Sequence, residues 1–272
     1  MEVRKPAPVW GLSCPQSEAP GLGAGSAQGY GRSMAAAAFW AFVGSSALVV
    51  GALVAFFVPV SSRVLGLIMG FGAGTLISAV SFDLVLGSYR ETEDPSVIFG
   101  LIAGALVFWA GDWILELFTQ GEDPVVGETV SGPSLVLGAT LDGVPESVAI
   151  GLSLLGGSTV STAMVVAVFL SNMPEGLAAS VGLRNGGHSR GRILAIWALV
   201  VTMCVAAATI GYALLGSASA DVVAIIEAFA AGSILVLLAN TLMPEAFKNG
   251  GREVGLVTVA GFIMASALAV AG

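Results

Sequence analysis

Charge is scarce in this chain. Only 10% of its 272 residues are Asp, Glu, Lys or Arg, against about 25% in a soluble domain. The few charges sum to −8 and form no basic stripe, which excludes a nucleic-acid-binding surface. Cysteine is nearly absent. Cys14 stands in the N-terminal stretch and Cys204 in an apolar run, so the pair supports neither a disulfide framework nor a cysteine metal cluster. The single histidine, His188, lies among arginines in a polar stretch, so no apolar run contains an imidazole. The chain also lacks a nucleotide-binding loop.

What the chain has instead is hydrophobic length: 56% of its residues are hydrophobic. Eight apolar segments, 35–58, 63–87, 96–118, 134–155, 159–183, 191–215, 221–246 and 254–271, are each long enough to cross a bilayer as a helix of about 20 residues. The expected fold is an all-α polytopic membrane protein, with residues 34–272 as the transmembrane domain and the lipid bilayer as its surroundings. Residues 1–33, rich in Gly, Ala, Ser and Pro, read as a flexible tail. Met34 immediately precedes the first apolar run, so translation starts either at Met1 or at Met34.

Lysine and arginine set the expected orientation. With eight spans both termini share a side, which holds Arg4, Lys5, Arg32 and Arg90. The opposite side holds Arg63, Arg184, Arg190, Arg192, Lys248 and Arg252. The bias places both termini outside, in a plasma or bacterial inner membrane, and it sharpens if Met34 is the start.

The fourth span contains Leu141-Asp142-Gly143-Val144-Pro145-Glu146, and the fifth Ser171-Asn172-Met173-Pro174-Glu175-Gly176. A third Pro-Glu, Pro244-Glu245, ends the seventh. An acid near a membrane-helix centre costs roughly 2.5–3.5 kcal/mol, so Asp142, Glu146 and Glu175 need compensation. Asp142 and Glu146 are spaced i, i+4, as are Ser171 and Glu175, while Asn172 and Glu175 are i, i+3. Residues at these spacings share a helix face. Each proline also deprives the carbonyl four residues earlier of its partner, freeing those of Leu141, Leu170 and Asn240. The fourth and fifth spans are joined by little more than Gly156-Gly157-Ser158, a hairpin that brings the two motifs face to face. Carboxylates, an amide, a hydroxyl and spare carbonyls then converge as oxygen donors for one divalent cation.

Glycines recur at i+4 spacing, Gly66, Gly70 and Gly74 in the second span and Gly100 and Gly104 in the third. These read as seams where helix backbones approach closely. A faint repeat relates Phe71-Gly72-Ala73-Gly74-Thr75-Leu76-Ile77 to Phe229-Ala230-Ala231-Gly232-Ser233-Ile234-Leu235 and sets Asp83 opposite Thr241. Corresponding segments in two halves mark transporters built from inverted repeats.

Over residues 35–271 the chain resembles the ZIP family of divalent metal transporters. Pro145-Glu146-Ser147-Val148-Ala149-Ile150-Gly151 and Pro174-Glu175-Gly176-Leu177-Ala178 carry the resemblance. It implies a 3+2+3 arrangement of eight helices with inverted repeats, and metal-binding roles for Glu146 and Glu175. Glu245 matches the Pro-Glu of the seventh span. Asp83 and Asp112 fall where the family often carries polar residues. It further implies an elevator-like motion of spans 1, 4, 5 and 6 past spans 2, 3, 7 and 8. The family histidine and asparagine before the first Pro-Glu are Asp142 and Gly143 here, the pair in the fifth span is Ser171-Asn172, and Asn240-Thr241 stand where the seventh span often has His-Glu.

The expected metal-binding residues are therefore Asp142, Glu146, Ser171, Asn172 and Glu175, with Glu245 and Asp83 along the path. The expected activity is secondary transport of a divalent transition-metal ion of the zinc, manganese or iron class. A set without imidazoles suits Mn²⁺, Mg²⁺ or Fe²⁺ better than Zn²⁺, and one metal site better than two. The metal is cargo, so no resident cofactor is expected. A homodimer is the partner left open. The rivals are a metal-binding sensor or scaffold without flux and an intramembrane metal hydrolase; the latter usually needs histidine ligands.

Overall fold

The computed structural model describes residues 27–92, 95–119, 132–155 and 160–271. Within these helices a few side chains, that of Asp142 among them, lie outside the described set. So do the expected tail before residue 27 and the acidic stretch holding Glu122, Asp123 and Glu128.

The described residues form helices and no strand. In chain order these are α1 (Ala27–Phe57), α2 (Ser62–Ala79), a π-helical segment (Val80–Val85), α3 (Leu86–Thr92), α4 (Ser96–Thr119), α5 (Gly132–Leu152), α6 (Thr162–Asn185), α7 (Arg190–Leu215), α8 (Ala220–Leu237), a second π-helical segment (Leu238–Leu242), α9 (Met243–Gly250) and α10 (Glu253–Ala271). Residues 27–33, read from the sequence as tail, are helical. A helix already nucleated by an apolar run extends cheaply.

Among the described residues, six stretches are long and apolar enough to cross a membrane: Met34–Phe57, Ser62–Arg90, Ser96–Ile114, Thr162–Asn185, Arg190–Leu215 and Ala220–Gly250. The chain is a multi-pass membrane protein. The two other expected spans are helices as well, α5 and α10, but α10 is short. In α5, Asp142, Pro145, Glu146 and Ser147 dilute the apolar sequence.

The helices pack in two groups. In one, α1, α5, α6 and α7 share a core of Leu48, Phe56, Ala139, Leu183, Trp197 and Cys204. Trp197 Nε1 donates a 2.8 Å hydrogen bond to Ser180 Oγ, so its ring is buried without an orphaned donor. Arg184 donates to the Ala55 carbonyl at 3.0 Å. The Arg190 guanidinium lies 5.6 Å from the Phe56 ring and 5.5 Å from that of Phe57. Both arginines fasten the end of α1 to α6 and α7. In the other group, α2 packs on α9 and α10, and α4 packs on α8.

Glycines make that second group compact. A Cβ on Gly104 would collide with the Phe229 carbonyl of α8, and one on Gly261 with the Phe71 carbonyl of α2. Gly232 stands 2.9 Å, at its Cβ position, from Ala105 N, and Gly74 the same distance from Phe262 N. These are two copies of one contact with partners exchanged, because Phe71 corresponds to Phe229 and Gly74 to Gly232 in the repeat. A shift of 158 residues carries Ser62 to Ala220, Ala79 to Leu237 and Val80 to Leu238. The two π segments thus occupy equivalent places. In the first, Leu86 N–H bonds to the Ser81 carbonyl, and in the second Met243 N–H bonds to that of Leu238, five residues back. Pro244 follows directly, and the wider turn accommodates its missing N–H.

The groups meet mainly where α2 crosses α6. There a Cβ on Gly72 would lie 2.8 Å from the Leu170 carbonyl. This is the carbonyl that Pro174 leaves without its helical partner, and glycine leaves room around it.

Candidate metal-binding site

Pro145 and Pro174 lie inside α5 and α6 respectively. Each is followed by a glutamate at the same point of its helix. Glu146 is buried, with 1% of its surface exposed, and so are Ser147 at 1%, Ser171 at 0% and Asn172 at 1%. Ser171 Oγ donates a 3.0 Å hydrogen bond to the Val168 carbonyl and reaches Glu146 Oε1 at 3.5 Å. The motifs of α5 and α6 are therefore face to face, and Ser171 is the point of contact.

Four polar atoms at this place are buried without a hydrogen-bond partner: Glu146 Oε2, both amide atoms of Asn172, and Glu175 Oε2. Among the described residues the only other such side-chain atom is His188 Nδ1. Buried polar atoms are otherwise satisfied in folded proteins, and leaving one unpaired costs about 1–3 kcal/mol, more for a charged group. Four on two adjoining helices mark a place built for a polar occupant.

Glu175 lies within electrostatic reach of both Glu146 and Glu245. The three Pro-Glu glutamates, on α5, α6 and α9, are thus linked electrostatically through Glu175. Glu245 is half-buried, with Lys248 one turn on, and its own carbonyl accepts from Asn249 Nδ2 at 2.9 Å. Among the described residues no three His, Cys, Asp or Glu side chains stand close enough to grip a metal ion together. Among the described residues the acids interact in pairs and do not make a closed cage. The side chain of Asp142 lies outside the described residues.

Asp83 is elsewhere. It sits in the first π segment and accepts a 2.6 Å hydrogen bond from Ser161 Oγ. Ser161 is the N-cap of α6 and accepts from Met164 N at 3.1 Å. At about 1.5 Å per residue, Ser171 lies about 15 Å further along α6. Asp83 is at one end of α6, while Glu146 and Glu175 are near its middle and second half.

Two buried residues of chemical interest carried no motif, Cys204 close to these acids and Glu227 apart from them. Cys204 of α7 is fully buried and is within electrostatic reach of Glu146 and Glu175. Its neighbourhood is written nowhere in the local sequence. Glu227 of α8 is also buried, and Ser88 Oγ donates to it at 3.3 Å. An acid inside Val222-Val223-Ala224-Ile225-Ile226-Glu227-Ala228 was detectable by the cost that singles out Glu146.

An apolar cavity of about 480 Å³ lies between α4, α5 and α8, lined by residues that include Phe108, Leu141, Val144, Pro145 and Phe229. Neither Glu146 nor Glu175 lines it, so it is separate from both.

No protein-family model matches the chain. Over 221 residues, 80% of its length, it is 28% identical to an Arabidopsis thaliana protein whose name describes it as a candidate zinc transporter. The chain spans 35% of the length of that relative. The similarity agrees with the resemblance carried by the two Pro-Glu motifs.

Proposed function

We propose that the chain is a secondary transporter, a ZIP-like permease that moves a divalent transition-metal cation along the track of Glu146, Glu175 and Glu245. The observation that carries this reading is the set of four unpartnered buried atoms on Glu146, Asn172 and Glu175. A cation with an incomplete hydration shell satisfies all the oxygens at once, and Ser171 and Asp142 stand on the same helices to complete the set. The similarity to the Arabidopsis protein brings zinc in as a cargo; the oxygen-rich donors bring in manganese and iron.

In this reading α5 and α10 complete a set of eight spans arranged 3+2+3. The matching π segments and the exchanged glycine contacts support two related halves. The group α1, α5, α6 and α7 carries the ion past the group built on α2, α4, α8 and α10, sliding at the narrow crossing of Gly72 over Leu170. The cationic ends at Arg63, Arg184, Arg190, Arg192, Lys248 and Arg252 face the cytoplasm, with both termini outside. The protein is not an enzyme in this reading, since no apolar run carries a histidine and no three ligating side chains are gathered among the described residues to activate water.

Uptake into liposomes tests the proposal. Purified protein should take up Zn²⁺, Mn²⁺, Fe²⁺ or Cd²⁺, and competition among these ions and Mg²⁺ ranks the cargo. Folded protein that moves none of them refutes it.

A second reading, metal binding without flux, has one observation on its side. No three ligating side chains are pre-assembled among the described residues. Saturable metal binding with no uptake selects that reading.

A further inference from the structure

Within α5, Gly143, Glu146 and Ser147 stand at i, i+3 and i+4, one patch of one face. Cys204 of α7 covers that patch. A Cβ on Gly143 would lie 3.0 Å from Cys204 Sγ, and Glu146 and Glu175 are within electrostatic reach of the thiol. The ZIP motif carries an asparagine where this chain has Gly143. With glycine there, the sulfur comes up against the α5 backbone one turn from Glu146. Glu146 Oε2 and both amide atoms of Asn172, on side chains 1% exposed, have no partner here.

We propose that Cys204, packed against Gly143, supplies a sulfur donor to the transported ion, and that it makes this chain select softer cations such as Cd²⁺ and Zn²⁺ over Mn²⁺ and Mg²⁺. The proposal rests on the transporter reading and specifies the cargo of the same site. A thiolate favours such ions where carboxylates alone favour hard ones, so one sulfur restores part of the softness lost with the histidines. The donors are neighbours and not a finished cage, so the ion draws Sγ and the two carboxylates together. The thiol proton leaves to water as the metal binds. A buried cysteine also serves as a small apolar filler, and a filler affects stability without affecting metal preference.

The test uses the full chain with Cys14→Ser, purified in detergent and titrated with Cd²⁺ alone. Heat of binding and the ultraviolet thiolate-to-metal charge-transfer band are followed together. The band should grow in step with the heat and vanish in Cys204→Ser. In liposomes the preference for Cd²⁺ over Mn²⁺ should fall about tenfold in Cys204→Ser, the low end of the range for removing one group that supports a metal. Cys204→Ala, with thermal stability measured beside it, gives the same readings if serine perturbs folding. Heat without a band, no Cd²⁺ binding, or an unchanged Cd²⁺/Mn²⁺ preference overturns the proposal. Wild-type uptake without a band removes the cysteine and leaves the transporter. A Cys204-dependent band without uptake of any metal keeps the cysteine as a ligand and removes the transporter.

Discussion

Gly51 of α1 and Gly176 of α6 meet backbone to backbone. A Cβ on Gly51 would lie 3.0 Å from the Gly176 carbonyl carbon and 2.6 Å from Leu177 N, and one on Gly176 would lie 2.7 Å from Leu48 Cα. Gly176 directly follows Glu175, so this contact fixes the height and rotation of the glutamate against α1. Backbone offers nothing flexible to move aside. Gly176→Ala should therefore destabilise the protein by about 1–3 kcal/mol, the usual cost of overpacking. Gly255→Ala in α10, where nothing lies within 4 Å, should be neutral or slightly stabilising, since alanine is the better helix former. Thermal unfolding in detergent compares the two; equal midpoints would deny the close contact.

Removing charge along the track should matter more than removing it at the end of α6. Glu146→Gln and Glu175→Gln keep shape and burial but lose the anion. Each should reduce metal uptake by at least about tenfold. Asp83→Asn, about 15 Å away along α6, should reduce uptake less and leave equilibrium metal affinity unchanged. Binding isotherms and flux on the same preparations separate the two effects. An affinity loss at Asp83 equal to that at Glu146 would place Asp83 in the binding site.

Acid should inhibit. The metal binds the deprotonated carboxylates, so each proton taken up by Glu146 or Glu175 competes directly with the ion. Apparent affinity is highest where both are ionised and falls as pH is lowered through their titration. Glu146→Gln removes one competing proton, so its affinity, already weaker, should depend less steeply on pH. Metal affinity across a pH series measures both slopes, and equal slopes in wild type and variant would contradict the assignment.

Ser161 performs two tasks at once. It caps α6 through Met164 N and donates to Asp83. Ser161→Ala should cost about 1 kcal/mol for the cap and free Asp83. Ser161→Asn restores a capping acceptor and should recover most of the stability. Chemical or thermal unfolding of the three proteins decides it; no loss in Ser161→Ala would mean that the cap is not needed.

The spans were legible because hydrophobic length is a strong local signal. The expected 96–118 became Ser96–Thr119 and 191–215 became Arg190–Leu215. The facing of Glu146 and Ser171 was also legible, since a short connection between two similarly kinked helices leaves little choice. The glycine seams proved to be contacts, but their partners could not be read from spacing. Gly74 meets Thr258 and Phe262, and Gly104 meets Phe229, pairings set by how distant helices dock. The same limit hid the electrostatic pairing of Glu245 with Glu175 and the packing of Cys204 on Gly143. Asp83 was visible as an acid at membrane depth, but its bond to Ser161 joins elements 78 positions apart. The π segments had no signal beyond Pro244, because a wider turn leaves the apolar pattern nearly intact.

The central claim is that Glu146 and Glu175 hold one ion between them. A double-mutant cycle on equilibrium metal affinity, using Glu146→Gln, Glu175→Gln and the pair, measures this most directly. Groups that share an ion couple, so the double variant should lose clearly less than the product of the two single losses. Losses that multiply fully would mean two independent acids and contradict the account.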